Sequence, residues 1–118
     1  MKNLDILGAG TATASSAADN ATATCTLPAS VGQRYCVTGV VAAFSAAVAS
    51  VKAVTLSWTE GGSAKSLALF AEFSGALVPL YLPGTITGDA GTAVTATLAA
   101  SGAAGTTGTI AILHSKIG

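Results

Sequence analysis

The stretch from Ala53 to Phe73 constrains the fold more than any other part of the chain. In AVTLSWT, Val54, Leu56 and Trp58 fall on one side and Ala53, Thr55, Ser57 and Thr59 on the other, and a side-chain period of two marks a strand with one face buried. EGGSAK, residues 60–65, then concentrates glycine and charge as a hairpin loop does. SLALFAEF resumes the alternation with Leu67, Leu69, Ala71 and Phe73 facing one way. The two runs are expected to pair.

The remaining segments repeat the pattern. ATATCTL and RYCVTGVVAAF supply two strands nearer the front, the second long enough to need a bend, for which Gly39 is the candidate. ALVPLYLP carries Pro79 inside an apolar run; a residue that cannot donate to a ladder belongs at a sheet edge or a bulge. PGTITGDAG is dense in turn residues and leads into TAVTATLAA, where Val94, Ala96 and Leu98 alternate with Thr95 and Thr97. After the loop SGAAGTTG, the run TIAILHS places Ile110 and Ile112 on one face and Ala111 and Leu113 on the other, a strand expected to be covered on both sides. That makes seven strands spaced by about 8–12 residues, the mark of an all-β fold, a single antiparallel β-sandwich or barrel. Helix competes only in VAAFSAAVASVKAV, where alanine favours it; the Val and Ser neighbours and the lack of a clear N-cap favour strand.

A chain of 118 residues has room for one domain and buries about two-thirds of its unfolded surface. Its first residues differ from the rest: LDIL is followed by GAGTATASSAADNATAT, a low-complexity string without 3.6-residue apolar spacing. Residues 1–20 therefore read as an extended N-terminal arm ahead of a sandwich domain over residues 21–118. The Gly8 and Gly10 pair imitates a dinucleotide-binding turn, but Thr13 stands at the sixth position, no amphipathic helix follows and Asp19 arrives too soon.

Five basic residues against five acidic ones leave no basic stripe to neutralise phosphates, so nucleic acid is not an expected partner. Asp5, Gly8 and Gly10 interrupt what could otherwise imitate a secretion signal behind Lys2. Tyr35 to Val51 is uncharged, but Ala, Ser, Thr and Gly make up more than half of it and it has no Leu or Ile, which argues against a membrane span. Charged residues make up only 8% of a chain that is 51% hydrophobic, and small side chains supply much of that total; such a surface is expected to be covered by assembly.

Catalytic chemistry finds little to work with. His114 is the only histidine and has no marked partner, so it reads as an ordinary strand or surface residue. Cys25, Cys36 and His114 lack the spacing of a zinc site. Should the first two strands of the sandwich form a hairpin, Cys25 and Cys36 could face each other and oxidise; two buried free thiols are the favoured reading. Glu60, Glu72 and Asp89 lie in different loops or strands and read as solvated carboxylates, and five of the six aromatics fall in strands that would build the core. Neither an enzyme nor a cofactor is expected.

From Gly32 to the end, GQRYCVTGVVAAFS, LSWTEGG and LVPLYLPGTITGDAGTAVTATLAASGAAGTTGTIAIL resemble, in motif order and turn placement, the capsid decoration or cement proteins of tailed phages and prophages. The turn WTEGG, where a simple Asp-Gly is the rule, and an unusually Ala-rich first strand pair depart from the pattern. The resemblance implies a jelly-roll-like sandwich that forms a homotrimer on the exterior of the virion capsid, after synthesis in the host cytoplasm. Its partner would be the major capsid protein, whose neighbouring subunits it bridges and stabilises. On that reading the arm lies along the capsid or an adjacent protomer, with Leu4, Ile6 and Leu7 as apolar contacts. The alternative is a receptor- or glycan-binding module of a phage tail fibre or baseplate; a secreted adhesin or pilus subunit fits less well.

Overall fold

Alternating small β-branched and apolar residues, punctuated by glycines, produce strands throughout. The computed structural model describes residues 6–15, 20–74 and 78–117. The strands are β1 (Ile6–Ser15), β2 (Ala23–Leu27), β3 (Arg34–Phe44), β4 (Ala47–Glu60), β5 (Ser63–Ser74), β6 (Val78–Thr87), β7 (Val94–Leu98) and β8 (Gly108–Ile117). The seven anticipated strands are present. The additional one, β1, lies in the segment read as an arm: that stretch is extended and hydrogen-bonds antiparallel along β8, from Ile6 opposite Ile117 to Ser15 opposite Thr109.

Two antiparallel sheets result, ordered β1-β8-β3-β6 and β2-β7-β4-β5. Their inner faces make one core. Val54 and Leu56 of β4, Val94, Ala96 and Leu98 of β7, Val40 and Ala42 of β3, and Ile110 and Ile112 of β8 are wholly or almost wholly shielded from solvent. Phe44 and Phe73 meet edge to face across the gap with ring centroids 5.1 Å apart, the arrangement the ring quadrupoles prefer.

β3 breaks its own alternation. Tyr35, Cys36 and Val37 are buried in succession, because the register shifts between Val37 and Gly39 against both neighbouring strands. This is a bulge at the glycine anticipated as the bend. Pro79 lies in β6, an edge strand, the setting in which a sheet tolerates proline. VAAFSAAVASVKAV is strand on both sides of a bend at Ser45 and Ala46. That bend is pinned when Ser45 N–H donates to the Thr107 carbonyl and Thr107 N–H donates to Ser45 Oγ.

One expectation is corrected. β8 is covered fully on one face only: Ile110 and Ile112 are buried, whereas Ala111 and Leu113 are half-buried. Among the described residues no third layer lies over that side. The favoured reading of the cysteines holds: β2 and β3 belong to opposite sheets, so the hairpin that a Cys25–Cys36 pair would need is not formed, and both are buried free thiols. Burial pushes the Cys25 thiol up, against a smaller opposing contribution from the Ile112 backbone. Cys36 Sγ lies 3.8 Å from Thr87 Oγ1.

Candidate functional site

The β4–β5 turn is two residues long, with Glu60 opposite Ser63 and Gly61 and Gly62 at φ 61° and 78° between them. Two successive positive φ angles make the tight turn that matches strand twist, and glycine adopts them without a Cβ penalty. Asp89, in the β6–β7 connection, closes over this tip. Its Oδ2 accepts from Gly62 N–H at 2.8 Å and its Oδ1 from Gly61 N–H at 3.0 Å, while its own N–H donates to the Thr59 carbonyl at 2.8 Å. The Gly62 and then the Gly61 donor hold the Asp89 carboxyl below the usual carboxylate range, with a smaller contribution from Arg34.

The same end gathers the β2–β3 loop. Gly91 N–H donates to the Gln33 carbonyl and Gly88 N–H to the Tyr35 carbonyl, and the buried Tyr35 hydroxyl donates to the Pro28 carbonyl at 2.6 Å. Within the loop, Ser30 Oγ donates to Gln33 Oε1 at 2.7 Å. Three loops distant in sequence thus form one braced platform, from whose tip Val31 projects with 97% of its surface exposed.

Beside the platform, a shallow cleft of about 340 Å3 opens on the outer face of β4, β5 and the approach to β7. Ser57, Thr59, Ser66 and Thr95 line it with hydroxyls, and Ala64 and Ala93 with methyls. Trp58 borders the cleft too, but its side chain packs against the core and its Nε1–H donates to Glu60 Oε1 at 3.0 Å. The indole is thus half-buried, shared between the core and the cleft.

His114 sits edge-on to Tyr35, centroids 5.8 Å apart, with Nδ1 3.2 Å from the Ile112 carbonyl oxygen. Lys116 Nζ lies 5.8 Å from the centroid of the same Tyr35 ring. Among the described residues no three His, Cys, Asp or Glu side chains are grouped to hold a metal ion, and no helix is long and apolar enough to cross a membrane.

The residues anticipated as arm contacts separate. Ile6 and Leu7 open β1, opposite Ile117 and Lys116 at the edge of their sheet, and Leu4 lies outside the described residues. Asp89, expected to be simply solvated, also braces a turn whose glycines stand 27 and 28 residues away; in the sequence only the placement of an acid in a Gly-flanked turn points to it. Phe70, at 67% exposure, and Val51 and Leu67 form further apolar surface on β4 and β5. No protein-family model matches the chain, and no curated protein matches it.

Proposed function

We propose that this protein is a virion structural protein of the capsid decoration kind, which binds the outer surface of a phage head as a homotrimer and bridges its major capsid subunits. The observation that carries the reading is the strand order. Strand pairs β1 and β8, β2 and β7, β3 and β6, and β4 and β5 nest one inside the next, the wrapping of a doubled-over hairpin that jelly rolls share, viral capsid domains among them. The near-uncharged surface and the exposed Val31, Val51 and Phe70 support a role in which contact is the product. Many copies on a lattice add weak contacts into a durable shell.

Leu4, Ile6 and Leu7 keep their proposed role as contacts to the capsid or an adjacent protomer, Ile6 and Leu7 from the edge of the β1-β8-β3-β6 sheet. Because residues 6–15 are a strand of that sheet, deleting the whole segment would unmake the fold, and Leu4→Ser is the cleaner probe. The test is to ask whether the protein co-purifies with tailless heads and is labelled on them by immunogold. Heads that carry it, and that lose occupancy with Leu4→Ser, are the expected result. Recovery only with tails or tail fibres overturns the proposal, and unchanged occupancy with Leu4→Ser rejects the arm contact.

A further inference from the structure

The cleft on the outer face of β4, β5 and the approach to β7 is floored by hydroxyls that strand register sets in a row. Thr95 of β7 lies opposite Ser57 of β4, and Ser57 lies opposite Ser66 of β5. The inward neighbours Val94, Ala96 and Leu56 are buried, so the pleat turns all three hydroxyls outward, with about 4.8 Å between adjacent strands. Two residues along, Thr59 lies opposite Ala64, and Ala93 completes the lining on the β7 side. Among the described residues, none of the Ser57, Thr59, Ser66 and Thr95 hydroxyls is engaged in a hydrogen bond within the chain. One border is the half-buried indole of Trp58, whose N–H is held by Glu60 Oε1. Lys65 is the one charged residue of the lining; it lies opposite Trp58, on the other side of the pleat from Ser57 and Ser66, so the hydroxyl row itself is uncharged.

We propose that this cleft binds a neutral saccharide, a hexose unit of a polysaccharide. The chemistry of the lining selects the ligand. A sugar ring carries hydroxyls around its rim and C–H bonds on its faces. Serine and threonine hydroxyls both donate and accept, so an unengaged row of them matches a polyol whichever way each of its hydroxyls points. The methyls of Ala64 and Ala93 and the exposed part of the indole meet the C–H faces. A phosphate or a polyanion would need cations that the row lacks, and a wholly apolar ligand would strip water from four hydroxyls without replacing their hydrogen bonds. The cleft volume of about 340 Å3 lies at the low end of the range for small-molecule sites. So shallow a site holds one sugar weakly, with a Kd on the order of millimolar, and repeated copies on a particle would add such contacts into firm attachment. The site does not rest on the capsid reading, since it is complete within one chain.

Trp58 is the only tryptophan of the chain, so its emission reports on the cleft. The test titrates the full chain with methyl glucosides, methyl galactosides and N-acetylglucosamine, with glucuronate as the charged arm, and saturation-transfer NMR reads binding independently of the indole. Thr95→Val removes a hydroxyl and keeps the branched shape, and Ser57→Ala removes the hydroxyl at the centre of the row. Thr24→Val, an exposed change on the same sheet but outside the cleft, is the control, and far-ultraviolet circular dichroism verifies each fold. Saturable binding of at least one neutral sugar is expected, weakened about five-fold by Thr95→Val and by Ser57→Ala and unchanged by Thr24→Val. No saturation transfer to any neutral sugar, binding that survives both cleft substitutions, an equal loss in Thr24→Val, or tighter binding of glucuronate than of methyl glucoside overturns the proposal. A chain that binds sugar at the cleft yet never binds heads would overturn the capsid proposal and leave this one standing.

Discussion

At the scale of single residues, Asp89 and Gly108 show how little of a side chain's role is written beside it. Asp89 looks like any acid in a turn, yet its carboxylate satisfies both orphan donors of the Gly61–Gly62 tip. Its acidity is strengthened in the folded state, so the ionised form adds stability that is fully present above the ordinary carboxylate value and is lost as pH falls through the lowered folded value. Asp89→Asn is therefore expected to lower the Tm at neutral pH and to flatten the acid limb of a Tm-against-pH curve taken down to about pH 3; a limb as steep as that of the unsubstituted protein would contradict this. Gly108 looks like a loop glycine in SGAAGTTGTI. In the fold it is buried, and a Cβ there would stand 2.9 Å from Leu98 Cδ2 and 3.2 Å from Phe44 Cε1. Gly108→Ala should cost about 1–3 kcal/mol by overpacking, measurable by chemical denaturation.

At the scale of elements, the hairpin β4–β5 was legible because pattern and punctuation agree: a period-two run, a pair of glycines, and a second period-two run. The turn holds Gly62 at φ 78°, where a Cβ meets no neighbouring atom, so the cost of a substitution is conformational and not steric. Gly62→Ala is expected to destabilise by about 1–2 kcal/mol, and Gly61→Asn, a residue that tolerates the left-handed region, to be close to neutral; thermal melts of the two variants make the comparison. β1 was not legible as a strand. ILGAGTATAS offers no large side chain after Leu7 to declare a buried face, and what makes it a strand is the ladder that β8 provides. Asn20, which ends the connection, accepts from Gly102 N–H at 2.7 Å, another partner that only the fold supplies. The Cys25 and Cys36 question turned on the same point, because adjacency in sequence said nothing about which sheet each strand joins.

At the scale of the whole molecule, nesting dominates. The innermost pair, β4 and β5, is local, and each pair outside it joins strands further apart, until β1 meets β8 across nearly the whole chain. Loop-closure entropy must be met before the outer pairs contribute, so folding is expected on the order of milliseconds to seconds, as for other strand-rich, non-local topologies. Stopped-flow refolding followed by Trp58 fluorescence checks this, and relaxation in microseconds would refute it. Among the described residues the sandwich is two four-stranded sheets, with no further layer over either outer face.

The amino-acid sequence by itself determined most of the local conformation: where β2 to β8 run, where they turn, and along the regular strands which side chains point inward, because pleat geometry and glycine or proline sterics act between near neighbours. Only the tertiary structure decided which strands share a sheet, that residues 6–15 complete one of them, that Asp89 braces a distant turn, and that β5 lies at a sheet edge. Those outcomes depend on pairing between residues far apart in the chain, where any strand offers the same backbone donors and acceptors and only the packed core chooses among them.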